Sequence, residues 1–364
     1  MQETRTLWQR LHLDLPLLVG LVTLSGIGLM VLYSADGEST GTVIRQSVRL
    51  VVGFSVMLAV AQINPRHLFH WSPWLYLAGL ALLVAVLYVG DVAQGAQRWL
   101  RLGPVNFQPS EVAKLTVPMM VAYFFAERTL PPRTLQVFVA ALIAVVPTIL
   151  IVRQPDLGTA LLIACSGGFV LFLAGMRWRL ILGLLFVVAA SAPAMWQVMH
   201  EYQRRRVLTF LDPEQDPLGA GYHIIQSKIA IGSGGVYGKG WLNGTQSQLD
   251  FLPERSTDFI FAVLSEEFGL LGVALLIAIY LFVVFRGLYI SAQAQDSFGR
   301  LLGGSLILTF FIYVFVNVGM VSGMLPVVGL PLPLISYGGT SLVTVMAAFG
   351  VLMSIHTHRR LLSN

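Results

Sequence analysis

Hydrophobic residues occur in long runs along this chain, and most polar residues are collected in the segments between the runs. A helix of about 20 apolar residues crosses about 30 Å of hydrocarbon. Ten runs approach this length, although the fourth to sixth are short. The runs cover residues 15–33, 43–62, 72–90, 111–126, 136–152, 157–174, 180–199, 259–285, 302–321 and 339–355. The pattern predicts an all-α polytopic membrane protein with about ten transmembrane helices, formed as a single integral-membrane domain over residues 1–364.

Composition supports a membrane protein over a soluble one. Hydrophobic residues make up 56% of the chain and charged residues 11%, against about 25% charged residues in soluble proteins. A cytosolic enzyme, a nucleic-acid-binding module and a disordered regulator are therefore excluded. The formal charge of +5 is explained by loop arginines that orient helices.

The distribution of basic residues predicts the orientation. Cytoplasmic loops of membrane proteins are enriched in Lys and Arg, and the opposite loop at residues 34–42 has two acids and no base. Both termini are therefore expected in the cytoplasm. The arginines assigned to that side are Arg5, Arg10, Arg66, Arg128, Arg133, Arg177, Arg179, Arg286, Arg300, Arg359 and Arg360.

The longest segment outside the runs, about residues 200–258, is then an outer loop between helices 7 and 8. Its residues 221–230 are mildly amphipathic, which indicates a helix on the membrane surface. Six glycines between Gly232 and Gly244 predict a flexible loop after it.

Charged side chains near the outer ends of the spans are the candidate functional residues. Charge at the bilayer centre costs about 2.5–3.5 kcal/mol, so such residues usually face a cavity. The candidates are Arg45, Arg49, Arg98, Glu111, Lys114, Asp156 and Asp258. Together they form a basic zone with a few carboxylates, which suits a diphosphate or another anionic head group.

Each candidate also has a purely structural reading. Arginines at a membrane interface can be snorkelling anchors. Glu111 and Lys114 are three residues apart on one helix face, and such a buried pair can serve packing alone. The Pro- and Gly-rich stretch 326–339 fits either a re-entrant segment lining a cavity or a tight outer loop. Neither a Walker loop, an HExxH motif nor a GxSxG motif is present in the sequence.

Six short strings resemble the SEDS family (shape, elongation, division and sporulation) over nearly the whole chain. The C-terminal string HTHR (356–359) and the short N-terminus resemble the elongation member more than the division member. The six strings are GAQRWL (95–100), QPSEVAK (108–114), QPDLGT (154–159), GAGYH (219–223), FLPERSTDF (251–259) and PLPLISYGG (331–339).

The resemblance implies a peptidoglycan glycosyltransferase of the bacterial inner membrane that acts during cell elongation. Such an enzyme polymerises lipid II into glycan strands on the outer face and releases undecaprenyl diphosphate. Its partners are lipid II, the growing lipid-linked glycan and a class B penicillin-binding protein that crosslinks the product. The resemblance also matches Asp258 to an acidic residue essential for polymerisation, and Glu111, Lys114 and Asp156 to polar positions of a central cavity.

This chemistry assigns a role to each candidate. A sugar hydroxyl that attacks an anomeric carbon needs a general base, and Asp258 is the candidate; direct displacement predicts inversion. The leaving diphosphate needs positive charge, for which Arg45, Arg49, Arg98 and Lys114 are candidates. A divalent cation, Mg or Mn, bridging Asp258 and the diphosphate would do the same work. No nucleotide or organic cofactor is expected.

Two other functions remain as hypotheses. A lipid II flippase or another carrier of lipid-linked substrates would have a similar cationic cavity. A carrier needs access from both faces, whereas the cytoplasmic halves of these spans carry almost no charge. An inactive scaffold would need no intramembrane charges.

Overall fold

Helices occupy all ten predicted positions. The structure is a computed structural model that describes residues 12–93, 96–102, 105–199, 204, 207–210, 212, 220–249, 251–252 and 254–358. The helices at the predicted positions are α1 (Leu15–Ala35), α2 (Thr40–Ala61), α3 (Pro65–Val89), α4 (Pro109–Ala126), α5 (Thr134–Val152), α6 (Leu157–Leu173), α7 (Trp178–Val198), α10 (Ile260–Ala292), α11 (Ser297–Val321) and α12 (Thr340–Thr357). In the described residues, seven of these helices are long and apolar enough to cross a membrane: α1, α2, α3, α5, α10, α11 and α12.

Polar residues at the helix starts explain where several helices begin. A side chain that accepts a hydrogen bond from a first-turn amide satisfies a group the helix leaves without a partner. The residues with this role are Asp14 in α1, Ser39 in α2, Asn64 in α3, Asp156 in α6 and Asp296 in α11.

Within the described residues, the helices pack around two large apolar cores and a smaller cluster that includes Leu162 and Tyr313. One core includes residues of α1, α2, α10, α11 and α12, and the other includes residues of α3 to α6, α11 and α12. Contact between α2 and α12 depends on Gly350, because a Cβ there would lie 2.6 Å from the Met57 carbonyl oxygen. Small residues at such crossings let membrane helices approach closely. Many large apolar side chains on the outer surface, among them Val51 and Phe186, remain exposed, as expected for faces in contact with lipid.

A small antiparallel sheet stands in the loop before α4, where no strand was predicted. It consists of β1 (Asp91–Ala93), β2 (Ala96–Leu102) and β3 (Val105–Phe107), in the order β1-β2-β3. The strands β1 and β3 have three residues each, and the seven residues of β2 do not alternate strictly between apolar and polar, so the sequence pattern did not indicate them. The sheet lies against α3 and α4, and β2 carries Arg98.

The segment between α7 and α10 contains helix α8 (Ala220–Ser233) and the short helix α9 (Thr245–Gln248). Helix α8 packs against α10 and α11, and its Ser227 hydroxyl donates to the Val321 carbonyl at 2.7 Å. Residues 221–230 are therefore helical, as expected, and pack against the bundle with Ile224 and Ser227 buried. Their location at the membrane surface stays a prediction.

The prediction of a flexible glycine loop after α8 was wrong, because the loop is bonded to a break in α10. Gly269 has a φ of 62° and interrupts the helix. The loop supplies the missing bonds: the Lys239 amide donates to the Glu266 carbonyl at 3.0 Å, and the Leu270 amide donates to the Gly235 carbonyl at 2.9 Å. An ion pair of 2.6 Å between Lys239 Nζ and the buried Glu266 carboxylate holds the same loop.

The first and last helices meet at one end of the bundle. Asp14 accepts hydrogen bonds from Arg286 Nε at 3.0 Å and from Arg286 Nη2 at 2.6 Å. His356 Nε2 lies 3.3 Å from the same carboxylate. Asp14 is 3% exposed. Burial raises the pKa of Asp14, but hydrogen bonds from Arg286 and the Leu17 amide, with the charges of Arg286 and His356, bring it below its usual value.

Candidate functional site

Glu111 and Lys114 form a buried ion pair in the first turns of α4. Lys114 Nζ lies 2.7 Å from Glu111 Oε1, and the side chains are 8% and 7% exposed. The other carboxylate oxygen, Glu111 Oε2, is buried and accepts no hydrogen bond within the described part of the chain. Buried charges are tolerated when they are paired. One oxygen of the buried pair is thus not used by the described part of the protein.

Tyr313 of α11 is the residue around which four of the predicted site residues gather. Lys114 Nζ lies 5.1 Å from the centre of the Tyr313 ring, within the range of a cation–π contact. One turn further along α11, Asn317 donates to the Asp258 backbone carbonyl at 3.0 Å, and Gln108 at the start of α4 donates to Asp156 Oδ2 at 3.1 Å. The fold thus brings together residues from α4, from the start of α6 and from the turn before α10.

Asp156 occupies the N-cap of α6. Its Oδ1 accepts a hydrogen bond from the Thr159 amide at 3.2 Å, and its Oδ2 accepts one from Gln108 Nε2 at 3.1 Å. The residue is 7% exposed. Gln108 directly precedes α4, so this bond joins the start of α6 to the start of α4. The Asp156 carboxylate therefore caps α6 and links it to the start of α4, in addition to lying near the site.

Arg98 is bound to the backbone beside Asp156. Its Nε donates to the Gln154 carbonyl at 3.2 Å, and its Nη2 donates to the Pro155 carbonyl. A guanidinium has five N–H donors, so others remain for a ligand. The sheet that carries Arg98 thereby holds the turn between α5 and α6.

Asp258 lies in the turn that leads into α10. Its backbone carbonyl accepts a hydrogen bond from Asn317 Nδ2 at 3.0 Å. Its Oδ2 lies 3.5 Å from the point where a Cβ would stand on Gly329. Gly329 has a φ of 75°, a conformation that favours glycine. The Pro- and Gly-rich segment therefore passes directly beside the Asp258 carboxylate.

The two arginines of α2 differ in their surroundings. The Arg49 guanidinium lies 4.2 Å from the centre of the Tyr337 ring. Arg45 is exposed and donates from Nη2 to the Thr42 hydroxyl one turn earlier, at 2.7 Å. Among the described residues, Arg45 is not placed with the group around Tyr313.

A cavity of about 640 Å³ opens between α2, α3, α4 and α12. Arg49 and Glu111 lie on its wall, and its other lining residues are mostly apolar, extending as far as Val60 and Val351 near the other ends of α2 and α12. Its volume is within the range of ligand sites. A molecule with an anionic head and a long hydrocarbon chain matches this distribution of charge.

The residues do not form a complete metal site of their own. In the described part of the chain, no group of three or more His, Cys, Asp and Glu side chains is arranged to hold a metal ion. Mg²⁺ in proteins is often held by one or two carboxylates together with substrate phosphates and water. The carboxylate of Asp258 fits that mode, with phosphate supplying further ligands.

Sequence analysis missed the uncharged polar residues of this region, namely Tyr313, Asn317, Gln108 and Gln46. Asn317 is fully buried and Gln46 is 2% exposed. An amide inside an apolar helix is itself a signal, because burying a polar group without a hydrogen-bond partner is costly. The sequence shows that amide residues lie within apolar helices, but it does not show which groups they hydrogen-bond.

Fold and site together define a multi-pass membrane protein with a charged site at one end of its helical bundle, beside an apolar cavity. The chain belongs to the cell cycle protein family of FtsW, RodA and SpoVE, whose family model matches residues 9–361. The resemblance seen in the six sequence strings is thereby confirmed.

Relatives match along the whole chain. It is 55% identical to the peptidoglycan glycosyltransferase MrdB of Escherichia coli (strain K12), over 99% of this chain and 97% of that protein. It is 37% identical to the probable peptidoglycan glycosyltransferase FtsW of Geobacter metallireducens, over 95% of each chain.

Solved structures match as well. One was determined in work on the coordination of polymerisation and crosslinking by a peptidoglycan synthase complex; it has a TM-score of 0.83 and 35% identity, over 95% of this chain and 99% of that chain. The rod shape determining protein RodA of Thermus thermophilus has a TM-score of 0.72 and 31% identity, over 94% of this chain and 96% of that chain. This chain is thus a multi-pass bacterial membrane protein.

Proposed function

We propose that this protein is a peptidoglycan glycosyltransferase that polymerises lipid II during cell elongation. The observation that carries the proposal is the group formed by Asp258, Lys114 and Glu111 around Tyr313 and its neighbour Asn317, next to an apolar cavity. Lipid II is a disaccharide-pentapeptide on undecaprenyl diphosphate, so it combines sugars, an anionic linker and a long hydrocarbon chain. The site offers a partner for each of these parts.

In the proposed reaction, the 4-hydroxyl of one sugar attacks the anomeric carbon of another. A bond forms between that oxygen and the anomeric carbon, and the bond from the carbon to the diphosphate oxygen breaks. Asp258 takes the hydroxyl proton as general base, and undecaprenyl diphosphate leaves with the bonding electrons. A single displacement of this kind inverts the anomeric configuration.

Positive charge near the leaving group lowers the barrier, because negative charge grows on the diphosphate in the transition state. Lys114 is the main candidate, since its ammonium is nearly buried and Glu111 holds it in place. Arg49 stands on the wall of the apolar cavity and can contact the same anion. Arg45 is exposed, so its contribution is attraction at longer range. Arg98 acts mainly on the Asp156 turn, through its bonds to the backbone.

A divalent cation would supply further positive charge at the diphosphate when bound, with Asp258 as its protein ligand. The residues of the chain then orient the substrate and take the proton.

The site is proposed to face the periplasm, the outer side of the inner membrane. The positive-inside pattern of the loops supports this orientation. All the candidate charges lie at the end of the bundle opposite to the Asp14–Arg286 pair, which joins the ends expected in the cytoplasm. A class B penicillin-binding protein is the proposed partner, a proposal supported by the similarity to a chain of a peptidoglycan synthase complex.

The test is polymerisation of purified lipid II by wild type, by Asp258→Asn and by a matched control, Asp296→Asn. Asn retains the N-cap role of Asp296 at the other end of the bundle. The partner is supplied, and each reaction runs with and without magnesium. We expect polymer from wild type and control, and a loss of about 10²–10⁴ in rate for Asp258→Asn.

Two results would count against the proposal. Full activity of a folded Asp258→Asn would move the base elsewhere, with Asp156 and Glu111 next in line. No polymer from any sample, together with lipid II transfer across vesicles by wild type, would favour a carrier instead.

A further inference from the structure

Three successive backbone carbonyls, those of residues 256 to 258, accept hydrogen bonds from parts of the chain far away in sequence. We name this arrangement the carbonyl clamp. Its bonds are Tyr337 N to Ser256 O at 2.8 Å, Ser336 Oγ to Thr257 O at 2.6 Å, and Asn317 Nδ2 to Asp258 O at 3.0 Å. Helix α10 itself begins two residues after Asp258, and the Ala262 amide donates to the Phe259 carbonyl. The turn that holds Asp258 is thus fixed from outside its own helix.

Asn317 is the member of the clamp that reaches Asp258. It is fully buried in α11, and its Nδ2 also donates to the Leu330 carbonyl at 2.6 Å. Both partners are carbonyl oxygens, so the NH₂ end of the amide must face them. One side chain therefore joins the Asp258 turn to the Pro- and Gly-rich segment that passes beside the carboxylate.

Ser336 completes the connection on the other side. It is 4% exposed, and its hydroxyl accepts from the Leu332 amide at 2.7 Å while it donates to Thr257. Gln46 of α2 in turn donates to the Ser336 carbonyl at 3.2 Å. The clamp is thereby anchored to the helix that carries Arg49.

We propose that Asn317 and Ser336 are positioning residues that hold the Asp258 carboxylate at the reacting sugar hydroxyl. The inference rests on the proposed role of Asp258 as general base. Such a base must reach its proton within about 2.6–3.2 Å, and a misplacement of about 1 Å can cost about 10²-fold in rate. Two buried polar side chains aimed at the backbone of one turn provide that accuracy.

The test compares Asn317→Leu and Ser336→Ala, which remove the donors, with Ser336→Thr, which keeps the hydroxyl. Ser305→Ala is the matched control: Ser305 is also buried in α11 and donates to a carbonyl of another helix, Ser166 O at 2.7 Å. For each folded variant, kcat and KM for lipid II, the pH profile of kcat and the thermal unfolding midpoint are measured.

We expect kcat to fall by about 10²-fold in Asn317→Leu and less in Ser336→Ala, with little change in KM. The acidic limb of the pH profile, which reports the ionisation of the base, should move in both. Ser336→Thr should retain most of the activity, and Ser305→Ala should lower the unfolding midpoint without moving the pH profile.

The inference is overturned if Asp258→Asn is inactive while both donor-free variants keep the wild-type kcat and pH profile. It is also overturned if their loss of kcat only parallels the loss of stability seen in Ser305→Ala. If Asp258→Asn is active, Asp258 is not the general base, and the positioning role is then refuted too. Because Asp258→Asn is measured separately, this failure can be distinguished from a failure of the positioning inference alone.

Discussion

Variants of Lys114 can distinguish a structural role of its charge from a catalytic one. Its substitution by Met keeps the length of the side chain and removes the charge, which leaves Glu111 as a buried carboxylate without its partner. The single variant should therefore lose both stability and activity. The double variant Glu111→Gln with Lys114→Met removes both charges, and it should regain stability while remaining inactive.

The structure sets the size of the effect. At the observed separation of 2.7 Å, two unit charges attract by about 6 kcal/mol for an effective dielectric constant of about 20. Much of that attraction is offset by the cost of burying the charges. Breaking a buried pair by removing one partner typically costs about 3–5 kcal/mol, whereas replacing both partners is often neutral. We therefore expect Lys114→Met to lower the free energy of unfolding by about 3–5 kcal/mol and the double variant to change it little.

The assay combines thermal unfolding of the purified protein with the rate of lipid II polymerisation. Lys114→Arg should retain part of the activity, because the charge remains. Lys239→Met is the control, since Lys239 pairs with the buried Glu266 at 2.6 Å outside the group around Tyr313; it should lower stability and leave kcat near wild type. The reasoning is refuted if the double variant is both stable and fully active, for then the Lys114 charge serves packing alone.

Three further results are expected. Asp14→Asn should cost about 2 kcal/mol of unfolding free energy at neutral pH. Pairing with Arg286 holds the pKa of Asp14 below its usual value, so the difference in stability between variant and wild type should vanish as the pH falls through that lowered pKa. Unfolding midpoints measured from pH 7 to about pH 3 test this. Gly269→Ala should destabilise strongly, since a Cβ there would lie 2.7 Å from the Val236 carbonyl oxygen at a φ of 62°; an unchanged unfolding midpoint would contradict the interlock of loop and helix. Arg45→Ala should have a smaller effect on polymerisation than Arg49→Ala, because Arg45 is exposed and Arg49 lines the apolar cavity; equal losses in parallel rate measurements would be inconsistent with this difference.

Positions of helices follow from composition because a bilayer permits few alternatives. Backbone groups in hydrocarbon must be bonded within the segment, which makes a long apolar run a helix. The ends are less determined. The predicted span 259–285 corresponds to a helix that continues to Ala292, since Arg286 is stabilised by Asp14 of another helix. A pattern read along one segment contains no information about such a partner.

The charged candidates could also be assigned to one end of the bundle, because successive antiparallel spans alternate their ends. The spacing of Glu111 and Lys114 predicted that they could pair, and the ion pair is present. Their convergence with Asp156 and Asp258 near Tyr313 could not be predicted, since it depends on how α4, α6, α10 and α11 pack together.

By itself, the sequence determined the class of protein, the positions of the helices, the family and the end of the bundle where charge collects. These follow from local quantities: apolar length, loop charge and short motifs. Tertiary structure alone decided that the glycines after α8 pack against a broken helix, that Arg98 holds the turn before α6, and that Asn317 and Ser336 hold the turn of Asp258. Each of these contacts joins residues tens of positions apart, and the hydrogen bonds between them exist only once the helices have packed.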